Sequence, residues 1–533
     1  MSYLYYVAEY WRTPAAEVSW QFFNPPLYYF SVAVFQRLTG LGLIQAGRVF
    51  NLLLALLTLG LLAGLCRQVW RDDAWPTWWW LGFYVCNPTV YRVFGMLRPE
   101  VLLMPLFVAT AWFIIKFRPQ THGIVWMLGS GLLAGIGWGV RQWGIFLEIA
   151  LVMWAVVTYI QSRLFKQWLP WIFLLGQVAI FVGLAVFFLH LRGGNVLSFN
   201  AKPHPIDPAF ITHIDLPTLF TNPVRPALDY QFWPVLYADF WGDYWRYWRE
   251  ALEADPLPTS AATRAALARA MWAAIPATVL TLSGWLGLGQ TADGDDDVKC
   301  SLHRFSFWLV AGSLGCFLIF AGVYALVGKG DTSKSIYLVY LIPFLGYLGS
   351  TVVFRLTRST HLKRGSVPVG VAMALLAVFV APTGVYSPPT RRASHTWVMP
   401  QVSYPLDVTF GEIITLVGYD WSWDAGQDQL TLNLIWRADA YPGTSYKVTV
   451  RSVDVTTGRF WAQSDAVPAR WKRPTQEWYV GEYITDTHSL ALSPEALSIG
   501  EIRVGLYRQW AEGHLMTDSG GDYAVIVLQD KRK

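Results

Sequence analysis

Arg98 and Glu100, in "MLRPEVLLMP", set a guanidinium and a carboxylate two residues apart at the mouth of an apolar run. Charge at a membrane boundary is costly, so such a pair is held for a ligand or a partner charge. Its chemistry would be proton removal by the carboxylate and anion binding by the guanidinium. The plainer reading has both side chains snorkelling to the interface. Arg48, in "AGRVFNLLLALL", and Arg141, in "GWGVRQW", also sit at the ends of apolar runs. The turn "GKGDTSKSIYLVYLIPF" gathers Lys329, Asp331, Lys334 and Tyr337. Two lysines there suit a phosphate, and a solvated turn is the competing reading. "HPIDPAFITHID" offers His204, Asp207, His213 and Asp215, in a spacing that matches no sharp metal-ligand motif. "YQFWPVLYADFWGDYWRYWRE" places Asp239, Asp243 and Arg246 among aromatic rings. That composition suits stacking on sugar rings, and equally an interfacial helix anchored by Trp and Tyr. The chain has no Walker loop, no G-x-S-x-G elbow and no H-E-x-x-H.

The elements that must position these residues are membrane elements. The chain is 54% hydrophobic and only 14% charged, where soluble domains average about 25% charged. The apolar runs end near Tyr386, and the rest is polar and strand-like. The expected fold is a polytopic α-helical membrane domain over 1–386 plus a C-terminal all-β antiparallel sandwich over 387–533. A net charge of +5 over 533 residues, with no arginine-rich stripe, speaks against a nucleic-acid partner. The four cysteines, at 66, 86, 300 and 316, all precede the polar segment, so no disulfide staples it. Abundant tryptophan at the ends of apolar runs, as in "WPTWWW", fits interfacial belts. No basic stretch followed by an apolar core opens the chain, so no cleavable signal peptide is expected.

Spans are expected at 47–66, 76–94, 100–116, 124–140, 143–161, 168–191, 269–290, 305–328, 335–354 and 366–386, about ten by length. Arg67 and Arg71, Lys116 and Arg118, Arg163 and Lys166, and the group Arg355, Arg358, Lys363 and Arg364 then fall on one side, which is the cytoplasmic one. The acidic loop 291–304 falls on that side too and dissents weakly. The parity puts the N-terminus, the 192–268 loop, the "GKGDTSK" turn and the C-terminal domain outside. It holds only if 25–40 does not span. That run opens at "NPPLYYF", where Asn24 can cap a helix and Pro25 suits its first turn. About 15 residues make roughly 22 Å, short of the ~30 Å core, so the helix is expected to lie along the outer face. Beyond it, "QLTLNLIWRA", "YKVTVRSVDV", "EIRVGLY" and "DYAVIVLQD" alternate in period two, as in a sandwich of about seven or eight strands.

"YLYYVAEYWRTP", then "NPPLYYFSVAVFQRLTG" and "AGRVFNLLLALLTLGLLAGL", resembles the start of the GT-C class of membrane glycosyltransferases. More narrowly it resembles the dolichyl-phosphate-mannose protein mannosyltransferase and aminoarabinose transferase branch. "MLRPEVLLMPLFVATAW" and "SKSIYLVYLIPFLGYLG" resemble later landmarks of that family, and "VTFGEIITLVGYDW", "LTLNLIWRADA" and "IRVGLYRQW" resemble the β-sandwich that follows some bacterial members. The resemblance implies transfer of a sugar from a polyprenyl-phosphate carrier to a lipid, glycan or protein acceptor on the outer face of the membrane, by an inverting enzyme. It implies that the 25–40 helix, with Asn24 and Tyr28, shapes the site. Glu100 falls on the family's second acidic position, and Lys329, Lys334 and Tyr337 fall near where the carrier phosphate is held. The family's base, an acidic residue usually Asp, would precede Met1. The resemblance therefore implies an upstream apolar segment of about 20 residues followed by an Asp or Asp-Glu. It implies too that the chain as printed is inactive in transfer, leaving Glu100 and Glu9 as its own candidate acids.

No cofactor is expected, and a divalent metal is the lesser alternative. The expected location is the plasma (inner) membrane, multi-pass, with the C-terminal domain outside. Two rivals stand beside the transferase: a polysaccharide or lipid transporter, which should show mid-membrane broken helices and internal repeats, and a non-catalytic membrane scaffold.

Overall fold

A computed structural model of the chain describes residues 2–14, 24–71, 73–117, 119–191, 205, 207–228, 231–242, 261–287, 297–324, 334–358, 365–385, 395–442, 444–471, 473, 475, 478–508, 513–526 and 528. They fall into two units, Met1–Pro388 and Pro389–Lys533.

The first unit is helical. It opens with α1 (Ser2–Tyr10), α2 (Leu27–Thr39), α3 (Leu43–Trp70), α4 (Ala74–Val85), α5 (Pro88–Gly95), α6 (Glu100–Lys116), α7 (Pro119–Val140), α8 (Gly144–Gln161) and α9 (Trp168–Leu191). Short helices of the 192–268 loop follow, then long ones at Ala261–Trp285, Asp297–Tyr324 and Ile342–Arg358 and a last apolar helix from Ser366. Among the described residues eight helices are long and apolar enough to cross a membrane. The two expected spans missing from that set have physical reasons. The 76–94 run is broken at Asn87–Pro88, because proline cannot continue a helix and Asn87 caps the next one by accepting from the Thr89 N–H at 2.9 Å. The 100–116 run does form a helix, of 17 residues, about 26 Å long.

α2 holds 13 residues, about 20 Å, and so falls short of a bilayer core. Gly40 ends it at φ +68°, a left-handed conformation that glycine adopts without a Cβ penalty. Asn24 does not cap it: Pro26 occupies the cap position and no side chain bonds there.

Helix direction sorts the charged residues by end. Arg358 and Asp73 meet at 3.1 Å, and Lys299 lies over the rings of Trp70 and Phe354. These residues share one end of the bundle. α3 runs towards that end from Asn51, α6 runs from Glu100 to Lys116, and the 342–358 helix runs towards it from the 335–341 turn. Asn51, Glu100 and Tyr337 therefore share the opposite end.

Close helix packing also holds the bundle together. Gly284 faces the backbone of the Ile342–Arg358 helix, and a Cβ there would collide with the Leu348 carbonyl. Gly284→Ala is expected to cost about 1–3 kcal/mol, the usual penalty of overpacking. The measurement is the melting midpoint in detergent, and an unchanged midpoint would show that the two helices have room.

The second unit is an antiparallel sandwich. One sheet has the order β1 (His395–Thr396), β7 (Tyr483–Ala491), β4 (Gln429–Ala438), β3 (Ile414–Asp424), β2 (Tyr404–Phe410). The other has β6 (Phe460–Ala466), β5 (Tyr446–Asp454), β8 (Gly500–Arg508), β9 (Ala524–Ile526). The period-two text explains the core. Leu430, Leu432, Leu434 and Trp436 of β4 are buried together with Val448 and Val450 of β5 and Val504 and Leu506 of β8. Among the described residues nine strands form where seven or eight were expected. β1 and β9 are two and three residues long, too short to alternate legibly. At the sheet edges Ser464 Oγ bonds His488 Nδ1 at 3.0 Å, and His488 Nε2 bonds the buried Asp486 carboxylate at 2.9 Å, so β6 of one sheet is tied to β7 of the other.

Candidate functional site

The site is built where helices break. α7 stops at Val140 and α8 starts at Gly144, and the tight turn between them needs that glycine, since a Cβ at 144 would strike the backbone of Gly137 and Trp138. The turn aims Arg141 inward. Its Nε lies 3.1 Å from Glu100 Oε1, with Glu100 fully buried and Arg141 nearly so. Arg141 Nη1 donates to Asn24 Oδ1. The guanidinium carbon sits 5.5 Å from the centre of the Tyr337 ring, a cation–π distance. One arginine thus gathers residues from three other parts of the chain.

Glu100 is the first residue of α6, where the helix dipole favours a carboxylate. Its contact with Arg141 is an ion pair and not an aligned hydrogen bond. Among the described residues neither carboxylate oxygen has a hydrogen-bond donor. A buried carboxylate so placed keeps its capacity to accept a proton or a hydroxyl donor.

The first forty residues brace this cluster. Tyr3 donates to the Asn24 carbonyl at 3.0 Å, and its ring stacks on Tyr29 with centroids 4.1 Å apart. Arg141, Glu100 and Arg98 all act electrostatically on the Tyr29 phenol, which places Arg98 beside the cluster. Tyr28 is buried and donates to Asn51 Oδ1 at 2.8 Å. Asn51 in turn donates to the Phe94 and Met96 carbonyls at 3.2 and 2.7 Å, which fixes the chain just ahead of Arg98. Tyr28 therefore acts as a brace, with its hydroxyl already engaged.

Lys334 precedes the short helix Ser335–Leu341 and is 3% exposed. The next residue, Ser335, donates its backbone N–H to Asp239 Oδ2 at 2.6 Å. Asp239 is 1% exposed and belongs to the loop helix Phe232–Trp241. Thr89 of α5 donates to the Phe240 carbonyl at 2.8 Å. Arg92 of α5, also buried, donates to the carbonyls of Asp239, Gly242 and Thr383.

Beside this knot lies a cavity of about 610 Å³ whose lining is almost wholly apolar. Trp233, Tyr237 and Phe240 of the loop helix and Leu338 and Leu341 of the 335–341 helix form part of its wall. The aromatic stretch expected to face either a sugar or the interface thus turns several of its rings into an apolar chamber.

Two candidates stand apart from the cluster. Glu9 is exposed on α1, and Arg48 is exposed on the first turns of α3. Lys329, Asp243 and Arg246 lie outside the described residues, as do Asp331 and His204. Asp207 and Asp215 cap two short loop helices, accepting from the N–H groups of Ala209 and Thr218. Among the described residues no group of three His, Cys, Asp or Glu is arranged to hold a metal.

Sequence reasoning did not select Asn51, Thr89 or Arg92, and it named Arg141 only as a boundary charge. A signal existed for two of them. Arg92 is an arginine inside an expected span, and Asn51 is a lone amide in an apolar helix.

Residues 24–187 match the family described as dolichyl-phosphate-mannose-protein mannosyltransferase. That segment carries Asn24, Tyr28, Arg98, Glu100 and Arg141 and stops before the 192–268 loop, Lys334 and the sandwich. It supports the GT-C resemblance read from the sequence. Two solved structures of ArnT from Cupriavidus metallidurans are also similar. The one bound to undecaprenyl phosphate is 15% identical, with 66% of this chain and 73% of that chain covered and a TM-score of 0.28. The apo one is 16% identical, covers 66% and 72%, and has a TM-score of 0.29. No curated protein matches the chain.

Proposed function

We propose that the chain is a membrane glycosyltransferase that takes a sugar from a polyprenyl-phosphate carrier and passes it to an acceptor on the outer face of the plasma membrane. One observation carries this reading. The 335–341 helix shows a polar side and an apolar side at once. Lys334 precedes it and Tyr337 lies under Arg141, while Leu338 and Leu341 line the apolar cavity. An anionic head group on a hydrocarbon tail needs both environments within a few ångströms.

The chemistry follows from the parts. A nucleophilic oxygen of the acceptor attacks the anomeric carbon, the bond from that carbon to the phosphate oxygen breaks, and polyprenyl phosphate leaves. Lys334 stabilises the charge that develops on the leaving phosphate. Glu100, ion-paired with Arg141, serves as the base that takes the acceptor's proton. Asn24 and Tyr337 fix the Arg141 fork. The family match over 24–187 supports the same reaction class. Lys and Arg loop parity supports an outward-facing site and an outward sandwich.

The test is binding by the purified chain in nanodiscs. Undecaprenyl phosphate should bind saturably and be displaced by a polyprenyl-phosphate sugar, and a nucleotide sugar should not displace it. Absence of saturable binding, or displacement by the nucleotide sugar, would reject the donor class.

A further inference from the structure

The outer-loop carboxylate Asp239 was a candidate sugar ligand, and its geometry gives it other work. It is 1% exposed, and its Oδ2 accepts the Ser335 N–H at 2.6 Å. That N–H is the first of the 335–341 helix and has no partner within its own helix. The bond joins residues 96 positions apart. It fixes the backbone immediately after Lys334, so it fixes where the Lys334 stem begins.

The loop helix that carries Asp239 is itself clamped. A helix leaves its last carbonyls without partners in the helix. Here α5 supplies the donors: Thr89 Oγ1 reaches the Phe240 carbonyl, and Arg92 reaches the Asp239 and Gly242 carbonyls. Arg92 also donates to Thr383 of the last apolar helix at 3.2 Å. Thr89 Oγ1 lies 3.5 Å from Ser335 Oγ as well. Four chain segments converge, and the 335–341 turn is the piece they hold.

The same junction joins two walls of the apolar cavity. The loop helix contributes Trp233, Tyr237 and Phe240, and the 335–341 helix contributes Leu338 and Leu341. The Asp239–Ser335 bond ties one wall to the other.

We propose that Asp239 is a positioning residue for the donor site. It sets the place of Lys334 through the Ser335 N–H, with Arg92 and Thr89 holding its own helix in register. This rests on the reading of Lys334 as the carrier-phosphate ligand. It removes Asp239 from the groups that touch the sugar.

The experiment is a double-mutant cycle on undecaprenyl phosphate affinity, with the full chain in nanodiscs and Asp239→Ala and Lys334→Ala alone and together. Asp239→Ala is expected to weaken binding about tenfold, as loss of a hydrogen bond to a charged group does. In the Lys334→Ala background it should add almost nothing, because there is no ammonium left to position. A general packing defect would instead add its full effect in both backgrounds, which would overturn the proposal. Loss of affinity in Lys334→Ala but not in Asp239→Ala would also overturn it and leave the donor reading intact. Unchanged affinity in Lys334→Ala would reject the phosphate role of Lys334, and the positioning role with it. Should Asp239→Ala fail to fold, Thr89→Val removes a milder link in the same knot. It should show a smaller loss, again only where Lys334 is present, and an equal loss in both backgrounds would count against the proposal.

Discussion

Arg141→Ala is expected to destabilise the membrane unit by about 3–5 kcal/mol, the usual cost of removing one partner from a buried ion pair. The reason is Glu100. It is fully buried, its oxygens accept no other bond from the described residues, and Arg141 Nε at 3.1 Å is the charge that compensates it. The variant also releases Asn24 and uncovers Tyr337. The melting midpoint in nanodiscs should fall sharply, and donor binding should fall with it. Pairing the change with Glu100→Gln should recover most of the stability, since a neutral amide tolerates the buried site far better, yet no donor-dependent function should return. Arg141→Lys should be intermediate, because an ammonium keeps the charge but loses the planar fork that reaches Asn24. A melting midpoint for Arg141→Ala equal to that of the parent would sink this account of the cluster.

Lys334→Ala is expected to weaken donor binding ten- to a hundredfold, from about 1.5–3 kcal/mol for a lost charge-assisted contact. Acceptor binding should change little. Lys334 is 3% exposed and immediately precedes the helix whose Leu338 and Leu341 line the apolar cavity. Lys329 serves as the comparison, as a single change and as the double. Salt should weaken parental binding less than it would at an open surface, because a buried charge is poorly screened. Donor affinity unchanged in both singles and in the double would reject the phosphate role.

Local pattern carried most of the architecture. Composition and run length are enough to mark a helical membrane unit and a β unit, because water and hydrocarbon sort residues wholesale. Strand alternation in "QLTLNLIWRA" marked β4 to the residue, since every second side chain enters the core. Element ends were harder. The 76–94 run reads as one span by hydropathy, yet Asn87–Pro88 splits it, a local steric fact that an average over a window hides. Asn24 reads as a helix cap, yet Arg141, 117 residues away, claims its oxygen, so a long-range charged donor outcompetes a local backbone one.

By itself, then, the sequence determined the kind of protein, the two units, the residues at each end of the bundle, and Glu100 and Lys334 as worth testing. Only the tertiary structure decided which charges meet. Arg98 lies two residues from Glu100, but closeness in sequence does not say which cation meets the carboxylate. The pair forms instead with Arg141, delivered by the turn between α7 and α8. Likewise nothing in the text near Asp239 announces Ser335, because a contact across 96 residues depends on how helices pack and leaves no periodic trace. Arg92 makes the same point. Its donors satisfy carbonyls 147 to 291 positions away, and the energy that keeps a buried guanidinium there comes from groups that only folding brings within reach.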